Sequence, residues 1–323
     1  MRAVTVGTGH ELGWEEVPDP VRGDGEVLVD IHATAVNRAD LLQRRGKYPP
    51  PPGAPPYMGL EMSGRVAEVG PGSRWQVGDP VCALLAGGGY AERVSVHEDL
   101  LLPVPGGLSL AEAASLPEVF ATAYLNLFLE AELAEGETLF VHAGASGVGI
   151  AATQLGRFAG AHVITTVGSR AKADAIRDLG ADWILDRTKD DVGAAFDRAV
   201  EECGGVDVVL DCVGGADLGD QFGRLARGGR WVVIATLGGP KCEVDLRSLL
   251  VRGLRLIGST LRGRPLDIKA RIIRGLRERV WPEIEAGRIR PVVYRELPMA
   301  RVAEAHEILE RRENVGKVVL TVR

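Results

Sequence analysis

No eighteen-residue apolar run free of charge occurs in this sequence of 323 residues, which removes a membrane-spanning helix of ordinary length. A cationic segment followed by an apolar one is also missing from the start, "MRAVTVGTGHELGWEEVPDP", which alternates like a strand and then turns acidic. The cytoplasm is the expected compartment. Basic excess is lacking too: a net charge of −6 and a pI near 5.6 leave no electrostatic footprint for nucleic acid or an anionic membrane. Cysteine is scarce, and Cys82, Cys203, Cys212 and Cys242 form no Cys-x-x-Cys pair, so reduced, core-packed thiols are expected. Repeats and low-complexity tails are absent. What remains is a chain 46% apolar and 25% charged, with room for about two domains.

From residue 1 to about 110, short alternating runs such as "EVLVDIHATAV", "SGRVAEVG", "DPVCALL" and "YAERVSVHE" are separated by "GPGS", "VGD" and "AGGG". These predict a β-rich, barrel-like unit. "GKYPPPPGAPPYMG", Gly46 to Gly59, holds too many prolines for a central strand or helix and predicts an extended, stiffened loop. After the helical "SLAEAASLPEVFATAYLNLF" the period changes. Runs at Thr138–Ala143, His162–Val167, Trp183–Asp186, Asp207–Cys212, Gly229–Ala235 and Leu254–Ser259 alternate with helical segments. That alternation predicts a doubly wound parallel sheet. The last forty residues return to strand, helix and strand.

Between the first two of those strands lies "GASGVG", Gly144 to Gly149, with serine at the second glycine position of the dinucleotide fingerprint. Glycines are needed there for the tight turn, for backbone approach to a pyrophosphate and for helix–strand packing. Gly144, Ser146, Gly147, Val148 and Gly149 are therefore candidate cofactor contacts, Ser146 either through its hydroxyl or simply as a small residue that fits. Past the second strand the sequence reads "TTVGSRAKA", without the Asp or Glu that would accept from a ribose 2′-hydroxyl. Gly168, Ser169, Arg170, Lys172 and the more distant Arg187 suit a 2′-phosphate instead, so NADPH is the expected cofactor. At later strand ends, Cys212 and Val213 in "DCVGG" and Leu237 and Gly238 in "TLGG" are expected to approach it as well. Lys317 in "ENVGKVVL" is a further candidate, against the stronger competing reading of a solvated charge.

The order of halves, with "NRADLLQRRGKY", "GLEMSGRVAEVG", "VGDPVCALL", "HAGASGVG" and "LDCVGG", resembles the medium-chain dehydrogenase/reductase superfamily over essentially the whole chain. It is similar to the zinc-free quinone oxidoreductase branch that includes zeta-crystallin. The resemblance implies an α/β protein with a GroES-like domain over residues 1–118 and 286–323 and a Rossmann domain over 119–285. Where zinc relatives carry the first cysteine and the histidine, this chain has Asn37 and Leu60, and leucine cannot ligate. No metal is expected.

Without a Lewis acid, hydride addition to a quinone or enone suits the chain better than alcohol oxidation, because charge spreads over a conjugated system. Asn37, Asp40 and Tyr48 are the candidate catalytic residues. By resemblance Asn37 approaches the nicotinamide ribose or the acceptor, while Tyr48 either hydrogen-bonds the acceptor oxygen or anchors the proline loop. Glu61 resembles the glutamate beside the metal of zinc relatives and is expected to be structural here. The alternatives are an enoyl-thioester reductase and a non-catalytic nucleotide-binding protein, crystallin-like or RNA-associated. The apolar run "GLRLIGS" at the end of the winding predicts an open edge and a homodimer.

Overall fold

The computed structural model describes residues 1–322, in two compact units: Met1–Ala121 with Leu261–Arg323, and Thr122–Thr260. The first unit contains β1 (Arg2–Val6), β2 (Leu12–Glu16), β3 (Glu26–Ala35), α1 (Arg38–Arg44), β4 (Glu61–Glu68), β5 (Pro80–Leu84), β6 (Arg93–His97), β7 (Leu101–Pro103) and α2 (Leu110–Ala113). α3 (Pro117–Tyr124) carries the boundary.

In the second unit, parallel strands β8 (Thr138–Val141), β9 (His162–Val167), β10 (Trp183–Asp186), β11 (Val208–Asp211), β12 (Arg230–Val233) and β13 (Arg255–Gly258) lie in the order β10-β9-β8-β11-β12-β13. Helices α4 (Gly147–Phe158), α5 (Arg170–Ala175), α6 (Val192–Cys203), α7 (Ala216–Phe222) and α8 (Leu246–Arg252) join them. The chain then re-enters the first unit with α9 (Leu266–Gly275), α10 (Trp281–Glu285), β14 (Val293–Pro298), α11 (Val302–Glu310) and β15 (Lys317–Thr321).

The first unit is organised around β3, whose alternation buries Val27, Val29, Ile31, Ala33 and Ala35. β3 pairs with β4 along one side and with β6 and then β15 along the other, so the last strand of the chain is hydrogen-bonded to one of the first. One core of this unit gathers Val36, Leu41, Met58 and Tyr90 against Leu297, Val302, Ile308 and Val318. Residues 261–285, placed by sequence with the nucleotide half, pack in this first unit instead. Local helical periodicity gives no sign of it, since the ties are long-range: Trp281 donates to Pro103 O at 2.8 Å and Arg262 to Ala86 O at 2.8 Å.

The second unit is the doubly wound sheet of the Rossmann type. Its central strand β11, "VVLD", is buried throughout, as a strand covered on both faces must be. Phe140, Ile164, Phe196, Val209, Phe222 and Trp231 share its core. Cys82 is buried, whereas Cys203 and Cys212 are half-buried and Cys242 is exposed; none of the four is in a disulfide, so the core expectation holds fully only for Cys82. Among the described residues no helix is long and apolar enough to cross a membrane.

Candidate functional sites

In the second unit the glycine loop leaves the carboxyl end of β8 and starts α4. Ala143 takes a positive φ of 55°, and Gly144 donates its N–H to Thr166 O at 2.7 Å. A Cβ on Gly144 would sit 2.0 Å from Thr165 Oγ1, and one on Gly149 would sit 2.3 Å from Ala143 O. Both positions therefore demand glycine. Ser146 is the helix N-cap, its hydroxyl accepting from Gly149 N at 3.1 Å. The oxygen accepts from the helix while the O–H remains able to donate, so capping α4 and meeting a phosphate are compatible roles. The amides of Gly147 and Val148 take no hydrogen bond among the described residues, at the positive end of a twelve-residue helix dipole. A bare turn with an uncapped, apolar helix start would not fit a dinucleotide; this loop does.

At the end of β9, a Cβ on Gly168 would lie 3.9 Å from both Nε and Nη2 of Arg187, so the structure brings these two distant candidates together. Ser169 caps α5 by accepting from Lys172 N at 3.4 Å, which leaves its O–H able to donate. Arg170 is exposed and paired with Asp174 at 3.3 Å. Asp186, which pairs in register with Val167, is a carboxylate the sequence reading passed over. It is buried, accepting from Thr188 N and Oγ1 at 3.1 and 2.6 Å, and these bonds with the charges of Lys189 and Arg170 outweigh burial and hold its carboxyl below the usual range. Farther along the edge, the loops with Cys212–Val213 and Leu237–Gly238 lie side by side: Gly238 N donates to Val213 O at 2.7 Å and Leu237 N to Cys212 O at 3.3 Å.

In the first unit, Asn37 is the N-cap of α1. Its amide is spent internally: Nδ2 donates to Glu61 Oε1 at 3.0 Å and to Ala35 O at 3.2 Å, and Oδ1 accepts from Lys317 Nζ at 2.7 Å. Lys317 is neither a solvated charge nor free to reach a cofactor. It is 5% exposed, ion-paired with the fully buried Glu61 at 2.8 Å, and its third proton goes to Val36 O at 2.9 Å. Glu61 Oε2 accepts from Glu118 N at 2.9 Å. One carboxylate thus joins β4, the start of α1, the start of α3 and β15, in keeping with the structural role expected of it. Deleting either member of such a pair costs about 3–5 kcal/mol, since the other is left buried and alone.

Asp40 is not a group offered to a substrate. It is fully buried, its two oxygens accepting from Asn37 N at 2.8 Å and Gly59 N at 3.0 Å, with the Tyr90 hydroxyl donating as well. Burial still pushes its carboxyl up to about 6. The reason is the capping box of α1, which draws the side chain back onto its own helix start. Tyr90 continues the chain to His306 Nε2 at 3.2 Å.

Tyr48 sits on the proline loop, half-buried, and its hydroxyl makes no hydrogen bond among the described residues. Its backbone carbonyl accepts from Arg262 Nη1 at 3.2 Å, and the Arg262 guanidinium lies 5.3 Å from its ring. Arg262 also donates to Gln43 Oε1 at 2.8 Å. Sequence reasoning missed Arg262, the buried Lys269 and Glu118; the only signal for them is charge inside or just before otherwise amphipathic helical stretches. Glu118 is raised to about 8, by burial first and then by the charges of Glu61 and Asp40, against Lys317 and Lys269. The Tyr48 phenol is raised by burial and by Glu118, against Arg262. No set of three His, Cys, Asp or Glu side chains among the described residues is placed to hold a metal ion.

Comparison with known proteins gives consistent matches. Residues 23–106 match the alcohol dehydrogenase GroES-like domain and residues 147–276 the zinc-binding dehydrogenase family. The chain is 30% identical to a mouse (Mus musculus) quinone oxidoreductase, over 99% of this chain and 97% of that one. It is 34% identical to the polyketide synthase GfsB of Streptomyces halstedii over 96% of its own length, yet spans only 5% of that protein. The crystal structure of the Thermus thermophilus quinone oxidoreductase, solved also as its complex with NADPH, superposes with a TM-score of 0.82 at 32% identity over the whole of both chains. The JamJ enoyl reductase superposes with a TM-score of 0.84 at 27% identity, over 99% of this chain and 98% of that one.

Proposed function

Since the chain belongs to the medium-chain dehydrogenase/reductase family, in its zinc-free quinone oxidoreductase branch, we propose that it reduces a conjugated carbonyl, a quinone or an enone, with NADPH and without a metal. The observation that carries this reading is the environment of Asn37. Its amide is locked to Glu61 and Lys317, while the Tyr48 hydroxyl nearby on the chain remains an uncommitted donor. Alcohol oxidation requires a group that strips a hydroxyl proton of very high pKa, and neither Asn37 nor Tyr48 is such a group.

The loop Gly144–Gly149 would hold the pyrophosphate on the amides of Gly147 and Val148, and Arg187 with Arg170 would face the 2′-phosphate. When bound, the reduced nicotinamide supplies the hydride. The chain's own residues hold the acceptor. Tyr48 donates a hydrogen bond to the acceptor oxygen, and the Arg262 contacts fix the loop that presents it. One neutral hydrogen bond is worth about 1 kcal/mol, so Tyr48→Phe is expected to slow turnover by roughly tenfold or less. The proposed protein works as a homodimer in the cytoplasm, the exposed free thiol of Cys242 being suited to a reducing compartment.

A panel assay tests the reading: NADPH consumption with quinones, enones and enoyl thioesters, against NADP⁺ reduction by simple alcohols. Alcohols turned over faster than every conjugated acceptor would overturn it. Fast reduction of enoyl thioesters alone would favour the second reading, an enoyl-thioester reductase, for which the likeness to the JamJ enoyl reductase speaks.

A further inference from the structure

The strand order β10-β9-β8-β11-β12-β13 changes direction between β8 and β11, and in an open parallel sheet a ligand lies outside the carboxyl ends of the strands at such a point. The two strands are direct neighbours: Leu210 is in register with Val141, and His142 N donates to Leu210 O at 3.0 Å. One wall of that crevice is the glycine loop after β8. The other is the loop after β11, residues 212–215, and its shape is set by the residue before it, Asp211.

Asp211 is 1% exposed, and three neutral N–H donors converge on it. Its Oδ1 accepts from Val213 N at 2.6 Å and from Gly214 N at 3.0 Å, and its Oδ2 accepts from Trp231 Nε1 at 2.9 Å. Only a side chain that accepts at both atoms satisfies all three, since an asparagine would turn its own N–H donors on the loop or on the indole. The indole is itself fixed. Trp231 is fully buried on β12, two residues before Val233, the register partner of Asp211, so the two side chains share a face of the sheet. Its ring lies 6.3 Å from that of Phe196, at 15°, and 6.4 Å from that of Phe222. From the other side the loop's carbonyls are taken, Cys212 O by Leu237 N and Val213 O by Gly238 N. Residues 212–214 are thus held through their amides by Asp211 and through their carbonyls by the neighbouring loop. Without the carboxylate, two loop amides and the indole N–H lose their acceptor together.

We propose that Asp211 is a positioning residue for the dinucleotide: braced by Trp231, it fixes the loop that forms the second wall of the crevice and acts on the cofactor only through that loop. This assignment rests on the dinucleotide reading above and deepens it. Trp231 then becomes a reporter of the site, although it is fully buried. A dinucleotide against the loop shifts the Val213 and Gly214 amides, these share one carboxylate with the indole, and the indole N–H bond responds.

The test follows the five indole N–H resonances of the nitrogen-15-labelled full chain, with and without saturating NADPH, in wild type, Asp211→Asn and Trp231→Phe. The resonance missing from Trp231→Phe belongs to Trp231, and in wild type it is expected to move when NADPH binds. In Asp211→Asn at saturation that movement should be lost. The Kd for NADPH, read from the fluorescence of the cofactor, should rise about tenfold in Asp211→Asn, as the loss of hydrogen bonds to a charged group implies, and by less in Trp231→Phe. A lowered Tm with an ordinary Kd, or a Trp231 shift that persists undiminished in Asp211→Asn, means that Asp211 only stabilises the fold and overturns the assignment. If circular dichroism shows Asp211→Asn unfolded, a Trp231 resonance that NADPH leaves in place in wild type, or a wild-type Kd in Trp231→Phe, overturns it equally. All of these results leave the dinucleotide reading standing, whereas a wild type that binds neither NADPH nor NADH sinks that reading and the assignment with it.

Discussion

Arg187 and His306 show how far single side chains determine behaviour here. Arg187 lies on the loop beyond β10 yet its guanidinium is beside Gly168, so it is better placed than the Asp174-paired Arg170 to meet a 2′-phosphate. Both are exposed, so solvent screening limits each contact. Arg187→Ala is expected to weaken NADPH binding about tenfold, more at low salt than at high, and to leave NADH binding unchanged. Fluorescence titration with both cofactors checks it; equal losses would place Arg187 away from the phosphate.

His306 is fully buried, and burial, with Arg44 and Arg45 adding to it, holds its imidazole down at about 3. A base with a depressed folded pKa stays neutral in the fold while the unfolded chain protonates, so its stabilisation is complete above about pH 6.5 and is lost as pH falls toward 3. Asp40 runs the other way: its raised value of about 6 means stability is lost as pH rises from the ordinary carboxylate range to 6. The two slopes offset one another in that overlap. The difference between wild type and His306→Leu isolates the histidine, and urea unfolding should show it shrinking by about 1.4 kcal/mol per pH unit as acid is added below 6.5. A pH-independent difference would mean that His306 protonates freely in the fold.

Among the elements, the start of α4 is the most tightly specified. A methyl on Gly149 meets a carbonyl of the loop that the helix closes against, so Gly149→Ala must move either the helix or Ala143. The expected cost is about 1–3 kcal/mol, with NADPH affinity falling more than the melting temperature implies, because the Gly147 and Val148 amides move with the turn. Calorimetry and cofactor titration on one preparation decide it; an unshifted Tm with normal binding would show that the turn tolerates a Cβ. This element and the six parallel strands were legible in the sequence because β-branched runs, a glycine break and a helical period are local patterns. Lys317 and residues 261–285 were not, since a buried lysine is explained only by Glu61, some 250 positions earlier, and Arg262 only by the proline loop it grips. The helix-capping role of Ser146 and Ser169 went unread from sequence; each oxygen accepts from its own helix start and keeps its O–H as a donor.

At the scale of the whole molecule, the far edge of the second unit's sheet is left apolar and uncovered. β13 is the last strand, and Leu256 on it is 44% exposed. The helix before it, α8, buries no residue at all: Leu246, Leu250 and Val251 are 72%, 78% and 55% exposed. A lone exposed leucine is ordinary, but three exposed apolar side chains on one short helix, with another on the last strand of the sheet, are more than soluble chains ordinarily leave uncovered. A second copy of the chain can cover them by a two-fold pairing of β13 with β13, which extends the sheet and removes both edges at once. The expected species at micromolar concentration is therefore a dimer. Leu250→Glu places like charges from both copies across the axis and should shift the protein to monomer without unfolding it, since the side chain is solvent-facing within its own chain. Sedimentation velocity of both proteins, with circular dichroism as the check on folding, decides the matter. A wild type that sediments as a monomer would show that this edge tolerates solvent and that the pairing is wrong.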